Sequence, residues 1–324
     1  MNVSIITPIY NVENYIERCA RSLFEQTMDE GVEFIFVNDC TPDRSVQVLE
    51  EVASEYPNRL KQIRFIHHSQ NGGAAKARNS GLAVAQGVYI FYADGDDWAE
   101  KDMLKEMYEA AKKNDADIVR CDFFYTYKTV EKIVKQSKGT DSIECVKLLL
   151  SEKLHGALWT KLVKRSLYRD YNIGFSDGNW QDLRTSVQLF YYAKKIIYIP
   201  KAYYHYVQYN PNSVSGKRLA TRIDEMIIQT DGIIEFLKDN NVYLDKYIHY
   251  LKLACKQNLL FTCKINSFRK WLQIYPESNP YIWSYPSLPL HLRIVGGFTA
   301  LRLWPLINLW ILLKRIFSKH PRVK

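Results

Sequence analysis

The sequence lacks the short motifs by which several nucleotide-binding and metal-binding folds are recognised. It contains no GxxxxGKS or GxxxxGKT segment, which excludes the phosphate-binding loop of P-loop NTPases. The first apolar segment is followed by residues 7–11, TPIYN, without the glycines that a dinucleotide-binding turn requires. The six cysteines form no CxxC pair, and no grouping of cysteine and histidine has the spacing of a zinc site.

Acidic residues are absent from residues 286–324, which carry seven lysines and arginines. The net charge of the whole chain is +9, so subtracting this +7 leaves only +2 for residues 1–285. A nucleic-acid-binding protein more often carries its positive charge as a stripe on the folded domain. The distribution therefore argues against nucleic acid as a partner.

The chain also shows no signal peptide and no long apolar run. Met1 leads into an apolar segment without a basic region or a cleavage site, so we expect a reducing, cytoplasmic location. Residues 303–313 are too few to span a bilayer, which takes about 20 apolar residues. Aromatic Trp310 beside Lys314 and Arg315 is typical of a helix at an anionic membrane surface. We predict peripheral attachment to the inner face of the cell membrane, with a helix packed on the body or on a partner subunit as the alternative.

Short β-rich apolar runs alternate with helical patterns in the first 121 residues. Strands are predicted at 3–7, 33–38, 63–67, 88–92 and 117–121, and helices at 12–26, 43–56, 73–85 and 101–113. Later helices are predicted at 143–150, 156–168 and 182–193, with two more within 219–265. The alternation predicts an α/β fold with a mainly parallel central sheet and helices on both faces. A ligand site is expected at the carboxyl ends of its strands.

The strongest chemical signal is YIFYADGDDW at residues 89–98, an apolar strand that runs into Asp94, Asp96 and Asp97. Three carboxylates within four residues repel one another, and a divalent cation removes that cost. Mg²⁺ and Mn²⁺ prefer carboxylate oxygens and leave positions for phosphate. Gly95 allows the backbone to bend and a ligand to approach. A solvated acidic turn that caps the next helix is the alternative.

Two further segments end or follow a predicted strand. Asp39 ends an apolar strand, where its carboxylate can accept a hydrogen bond from a base N–H. Gly72 and Gly73 open a helix whose amide groups face the same crevice, so that Arg78 can reach a diphosphate. For Lys76 a solvated helix face is favoured instead.

Six segments in one order resemble family 2 glycosyltransferases, which have the GT-A fold. They are SIITPIYNVENYI (4–16), FVNDCTPDRS (36–45), NGGAAKARNSGL (71–82), YIFYADGDDW (89–98), LWTKLVKRSLY (158–168) and NWQDLRTSVQLF (179–190). The resemblance implies a GT-A domain at 1–215, with a donor half at 1–121 and an acceptor half at 122–215. A helical extension at 216–285 and a basic, apolar tail at 286–324 complete the expected organisation.

The resemblance also implies roles for individual residues. The implied donor-binding residues are Thr7, Pro8, Tyr10, Asp39, Arg78, Asp94, Gly95 and Asp96. Asp94 and Asp96 are the implied ligands of a Mn²⁺ or Mg²⁺ cofactor, and Asp182 is the implied general base. Aromatic and polar side chains suited to sugars are expected on the acceptor side, or equally in the core: Trp159, Lys161, Trp180 and His205.

The activity implied is inverting transfer from a nucleotide-sugar, a UDP-sugar, to an acceptor hydroxyl. The expected acceptor is a lipid-linked or growing saccharide in surface polysaccharide synthesis, and the sugar a hexose or N-acetylhexosamine. Three departures from the family pattern are Asn38 in place of Asp, Cys40 in place of Gly and Gln181 in place of Glu. Because Gln181 precedes the implied base, a nucleotide-sugar-binding protein without transfer activity is the alternative.

Overall fold

The computed structural model describes residues 1–211, 222–262 and 264–318. Its contacts divide the chain into two units, one formed by Met1–Val146 with Leu154–Lys217 and the other by Lys147–Lys153 with Arg218–Lys324. Residues 212–221 of the expected domains and 319–324 of the expected tail lie outside the described residues.

The first unit contains a nine-stranded sheet. Its strands are β1 (Val3–Ile9), β2 (Val32–Asn38), β3 (Ile63–His67), β4 (Tyr89–Tyr92), β5 (Trp98–Ala99), β6 (Ile118–Thr126), β7 (Glu131–Val134), β8 (Lys161–Lys164) and β9 (Ile196–Val207). β1, β2 and β4 are buried over almost their whole length, as their apolar sequences predict for strands covered on both faces.

The sheet is mixed. β1 pairs in parallel with β2 and β4, and β2 pairs in parallel with β3, which confirms the parallel half expected from the sequence. β6 and β9 are also parallel, but β8 is antiparallel to both β4 and β6, and β5 is antiparallel to β9. Because β1, β2 and β4 run in the same direction, the segments that follow them meet at one edge of the sheet.

Seven α-helices belong wholly or mainly to the first unit and six to the second, within the described residues, beside 3-10 helices at Leu60–Gln62, Leu158–Thr160 and Pro276–Trp283. The α-helices are α1 (Ile16–Phe24), α2 (Ser45–Ser54), α3 (Gly73–Val84), α4 (Met103–Asn114), α5 (Ser142–Leu150), α6 (Arg165–Asp170) and α7 (Gln181–Tyr192), then α8 (Ile223–Asp239), α9 (Asp245–Lys256), α10 (Asn258–Phe261), α11 (Ile265–Gln273), α12 (Leu290–Ala300) and α13 (Trp304–Ser318). None of these helices is both long enough and apolar enough to cross a bilayer.

The helix predicted at 156–168 is wrong. Residues 158–160 form a single 3-10 turn, residues 161–164 form β8, and only 165–170 are α-helical, as α6. β8 lies between β4 and β6 and completes hydrogen-bonded ladders with both, and these tertiary contacts override the helix-like spacing of its apolar residues. β7 and β9 were not predicted, although the run of isoleucine, tyrosine and valine in β9 is typical of a strand.

Gly87 lies in a tight contact between the start of β4 and β1. Its backbone N–H donates to Ser4 Oγ at 2.8 Å and to the buried Glu33 carboxylate at 3.2 Å. A Cβ atom at residue 87 would lie 2.5 Å from the Ser4 backbone nitrogen, which cannot move without distorting β1.

Replacing Gly87 with alanine is therefore expected to lower the free energy of unfolding by about 2 kcal/mol, since the clash involves backbone. Gly72→Ala is the matched control, because the Cβ there would meet only the flexible Lys76 side chain. Chemical denaturation of both variants measures the difference. Equal losses of stability in the two variants would contradict the packing described.

Candidate active site

Three carboxylates lie together in the turn between β4 and β5. Asp97 is 1% exposed, and its Oδ1 accepts a hydrogen bond from the backbone N–H of Val207 at 2.8 Å. Asp96 Oδ2 accepts one from Asn210 Nδ2 at 2.7 Å. The third carboxylate, that of Asp94, is paired with an arginine from α3. The turn that follows β4 is thus held by the end of β9.

The charges of this cluster are poorly compensated by the protein. Burial raises the pKa of Asp96, and repulsion from Asp94 raises it further. Burial raises the pKa of Asp97 well above its usual range, with Asp96 adding to the shift. A bound divalent cation would relieve this repulsion, and carboxylate oxygens are the ligands that Mg²⁺ and Mn²⁺ prefer.

The cluster does not make a complete metal cage by itself. Within residues 1–211, 222–262 and 264–318, no three histidine, cysteine, aspartate or glutamate side chains converge on one point. Mg²⁺-type ions are commonly bound by one or two carboxylates together with the phosphates of a substrate, rather than by protein alone. The residues present fit that mode, in which Asp94 and Asp96 would hold the ion together with the phosphates of a substrate.

Arg78 connects the acidic turn to a fourth carboxylate. From α3, its Nη2 donates to Asp94 Oδ1 at 2.7 Å and its Nη1 donates to Asp182 Oδ1 at 2.8 Å. The side chain is 6% exposed, and its guanidinium lies 5.6 Å from the ring centre of Phe175. Three residues that the sequence separates by up to 104 positions are therefore joined by one guanidinium group.

Asp182 lies in the first turn of α7, where the partial positive charge of a helix N-terminus favours a carboxylate. Burial nevertheless raises the pKa of Asp182, with Asp94 adding to the increase and Arg78 opposing it. The preceding Gln181 has a buried side-chain oxygen without a hydrogen-bond partner in the described structure. Asp182 is thus ionisable, 23% exposed at its side chain and close to the acidic turn, which are the properties of a proton acceptor.

Asp39 is fixed by its own neighbours at the end of β2. Its Oδ1 accepts hydrogen bonds from the Gly72 N–H at 2.9 Å and is paired with His68 Nδ1 at 2.7 Å. Its Oδ2 accepts from the Gly73 N–H at 2.7 Å. The amide groups at the start of α3, expected from the sequence to face the crevice at the strand ends, donate to Asp39. The Asp39 side chain is 3% exposed, and Oδ2 has no second hydrogen-bond partner among the described residues.

The end of β1, with Tyr10 directly after it, runs beside the acidic turn. Thr7 is 1% exposed, with a buried hydroxyl that has no partner in the described residues, and Tyr10 is 44% exposed. A Cβ atom at Gly95 would lie 3.1 Å from the Pro8 carbonyl oxygen. A side chain at residue 95 would therefore be in tight contact with the end of β1.

Two side chains expected on the acceptor side lie in the interior of the first unit. Trp159 stacks on Tyr204 with ring centres 4.9 Å apart, and Lys161 Nζ donates to the His155 carbonyl oxygen at 2.8 Å. Burial lowers the pKa of Lys161 to about 7. Neither side chain has a surface free to contact an acceptor in this conformation, whereas Trp180 is only partly buried.

His205 is also enclosed. Its ring is stacked between Trp98 and Phe124, with ring centres 3.3 Å and 4.2 Å away. Its two ring nitrogens lie 2.9 Å from carboxylate oxygens of Glu100 and Glu131. His205 thus supports Trp98, the residue directly after the acidic turn, from the neighbouring strand.

Three supporting residues were not identified from the sequence. His68 positions Asp39 and contacts Ser80 Oγ through its other nitrogen at 2.9 Å. Asn210 holds Asp96, and the Tyr204 hydroxyl accepts a hydrogen bond from the Asp94 N–H at 2.9 Å. The only signal available for them was their position after predicted strands or in aromatic segments.

Residues 4–172 of the chain match the model of glycosyl transferase family 2. The chain belongs to this family. This glycosyltransferase is 33% identical over 274 residues to the protein named uncharacterized glycosyltransferase EpsJ of Bacillus subtilis, covering 81% of this chain and 75% of that protein. It is 27% identical over 297 residues to the minor teichoic acid biosynthesis protein GgaB of the same organism, covering 86% of this chain and 32% of GgaB.

The fold of this glycosyltransferase is similar to that of TarS of S. aureus, residues 1–349, in a crystal structure with UDP-GlcNAc. The TM-score is 0.70 at 19% sequence identity, with 98% of this chain and 92% of the TarS chain covered. The similarity confirms the GT-A-like fold and the helical C-terminal region expected from the sequence.

Proposed function

We propose that this glycosyltransferase is an inverting, metal-dependent enzyme that transfers a sugar from a UDP-sugar to an acceptor hydroxyl. The observation that carries the proposal is the bridge made by Arg78. It places Asp94, in the acidic turn, and Asp182, the candidate base, within hydrogen-bond distance of the same guanidinium. An inverting transferase needs these two functions close to one anomeric carbon, with the attacking hydroxyl and the leaving diphosphate on opposite faces of it.

The nucleoside end of the donor is assigned to the end of β1, with Tyr10 after it, and to Asp39. An ionised carboxylate only accepts hydrogen bonds, so Asp39 favours a base that presents an N–H, as uracil does. Among the described residues, the Gly73 amide is the one hydrogen-bond partner of Asp39 Oδ2. A second lone pair of this oxygen is proposed to accept the uracil N–H. The TarS complex with UDP-GlcNAc supports a UDP-sugar, with Thr7, Pro8 and Tyr10 lining the pocket.

Asp94 and Asp96 are proposed to hold Mn²⁺ or Mg²⁺. A bound ion of this kind stabilises the negative charge that develops on the departing diphosphate. Asn210 orients the Asp96 carboxylate, while Asp97 is anchored to β9 and keeps the turn in place.

Asp182 is proposed to accept the proton of the acceptor hydroxyl. Inversion in a single displacement requires one base on the acceptor side, unlike the two carboxylates of a glycosidase. Arg78 holds the Asp182 carboxylate at one oxygen, Oδ1, and leaves the other for the proton. Of the acceptor-side residues, Trp180 is proposed to contact the acceptor, and Trp159, Lys161 and His205 to support the site from within.

The rate of transfer is expected to fall at low pH. Asp182 accepts a proton only when ionised, and burial raises its pKa, so kcat should decrease as the pH falls through that raised value and level off above it. The measurement is kcat against pH at saturating donor and Mn²⁺. A kcat that stays constant across the acidic range would contradict the role of Asp182.

The proposed acceptor is a lipid-linked or growing saccharide in surface polysaccharide synthesis. The name of the relative GgaB, which refers to teichoic acid biosynthesis, supports a cell-surface polymer.

The domain organisation proposed from the sequence assigns residues 1–121 to the donor and 122–215 to the acceptor, followed by the extension at 216–285. Residues 286–324 are proposed to attach the protein to the inner face of the membrane, since they carry seven basic and no acidic residues.

A panel of nucleotide-sugars tests the donor assignment. UDP release is measured for the wild-type protein with Mn²⁺ and with EDTA, alongside the same assay for GDP- and TDP-sugars. We expect release from one or more UDP-sugars that stops in EDTA. Tight binding of UDP-sugars without turnover, with any acceptor offered, would favour the nucleotide-sugar-binding alternative suggested by Gln181.

A further inference from the structure

An apolar stripe is exposed along α12. Leu290 and Ile294 are one helical turn apart, and Leu301 follows at the end of the helix on the same side. Their exposed fractions are 69%, 36% and 65%. The opposite side of α12, which includes Leu292 and Val295, is buried within the second unit. The stripe is therefore not part of the core of that unit.

The helix that follows is apolar on both sides. In α13, Ile307 and Ile311 are buried, with exposed fractions of 0% and 8%. On the outward side, Leu306, Leu309 and Leu312 are 42%, 51% and 54% exposed. A helix of a water-soluble surface normally presents polar residues on its outward face. α13 instead presents leucine on the side that the described protein leaves open.

α13 is too short to bury its outward leucines by spanning a bilayer. Its 15 residues extend for roughly 22 Å at the rise of an α-helix, which is less than the hydrocarbon thickness of a bilayer. Since Ile307 and Ile311 are already packed in the second unit, the helix can only lie along a surface, with its outward leucines in contact with that surface.

The charge of the segment indicates which surface this is. Arg302 and Lys314 are exposed on α13 or next to it, and residues 286–324 contain no acidic residue. Two copies of the chain placed face to face would bring these positive segments together, which is unfavourable. A membrane with anionic headgroups offers both apolar acyl chains for the leucines and negative charge for the cations.

We propose that Leu290, Ile294, Leu301, Leu306, Leu309 and Leu312 form one membrane-inserting face, which lies in the plane of an anionic lipid surface. Arg302 and Lys314, exposed near the two ends of α13, contact the headgroups. The inference deepens the membrane attachment proposed above and rests on it, because it names the side chains and the lipid charge that produce the attachment. It also directs the enzyme to acceptors that are held at the same surface by a lipid.

Co-sedimentation with vesicles tests this face. The full-length protein is mixed with vesicles of phosphatidylcholine containing about 30% phosphatidylglycerol, or with phosphatidylcholine alone. We expect the wild-type protein to sediment with the anionic vesicles and to be released by salt. Leu306→Glu with Leu309→Glu should weaken binding by at least about tenfold. Ile228→Glu is the matched control, because Ile228 is 62% exposed on α8, outside the face, and should bind like the wild type.

A second pair of variants separates charge from apolar contact. Arg302→Gln with Lys314→Gln should weaken binding to anionic vesicles about tenfold and leave weak binding to phosphatidylcholine unchanged. The proposal would be overturned if the wild-type protein did not bind anionic vesicles, or if the Leu306→Glu, Leu309→Glu variant bound them as tightly as the wild type. The proposal would also be overturned if the wild-type protein formed a dimer in solution and bound no vesicles, and if the Leu306→Glu, Leu309→Glu variant were monomeric. Mn²⁺-dependent UDP release is also measured for every variant without vesicles. This assay shows whether the proposed transferase activity is absent, independently of whether the protein binds membranes.

Discussion

Replacing Asp182 with asparagine is expected to lower kcat for transfer by about 1,000-fold while donor affinity changes little. Asparagine keeps the size of the side chain and can still accept a hydrogen bond from Arg78 through its oxygen. It cannot accept a proton from the acceptor hydroxyl, which removes the proposed base. The Arg78 contact with Asp94 at 2.7 Å does not depend on residue 182 and should persist.

The measurement combines steady-state kinetics with calorimetric titration of UDP in the presence of Mn²⁺. Asp170→Asn serves as the control, since Asp170 is half exposed on α6 and is paired only with the adjacent Arg169 among the described contacts. If kcat of Asp182→Asn were within about threefold of the wild-type value, Asp182 would not be the general base. A loss of UDP affinity equal to the loss of kcat would instead mean that residue 182 acts in donor binding.

Replacing Asp96 with asparagine should have opposite effects on activity and stability. Metal-dependent turnover is expected to fall by at least about 100-fold, because a catalytic metal contributes several kcal/mol. The metal-free protein should melt at a higher temperature at neutral pH. Burial and repulsion from Asp94 raise the pKa of Asp96, so its ionised form opposes folding above the unfolded-state pKa, and asparagine carries no charge.

Thermal melts with and without Mn²⁺ and UDP measure both effects. The wild type should gain stability when both ligands are added, and Asp96→Asn should gain little. Asp115→Asn is the control, because Asp115 is 88% exposed at its side chain and has the positive φ of 46° that asparagine tolerates. An Asp96→Asn variant that is less stable than the wild type without metal would contradict the account of charge repulsion.

The parallel half of the fold was predictable because its signals are local. β2 is almost entirely apolar, and α3 begins at a glycine pair, so each segment indicated its own structure. β8 was missed because its four residues are a strand only through their pairing with β4 and β6. A contact between segments that lie far apart in the sequence cannot be read from the periodicity of one of them.

The candidate site shows the same division. The position of Asp94, Asp96 and Asp97 after β4 followed from the sequence, because the apolar run at 89–92 predicts a strand that ends just before them. The partners of these residues did not follow. Arg78 was expected to reach a diphosphate, but its bridge between Asp94 and Asp182 was not foreseen, nor was the contact of the Gly72 and Gly73 amides with Asp39. These pairings depend on how α3 lies against α7 and against the ends of β2 and β4.

The central claim is that the turn after β4 binds a divalent ion against the diphosphate of a nucleotide-sugar. Crystals grown with UDP and Mn²⁺ and measured at the manganese absorption edge test it directly. The account predicts one anomalous peak, from a manganese ion within bonding distance of the Asp96 carboxylate and of diphosphate oxygens. It also predicts a hydrogen bond from the uracil N–H to the Asp39 carboxylate. A nucleotide bound elsewhere, with the carboxylates of the turn directed into solvent and no manganese beside them, would contradict it.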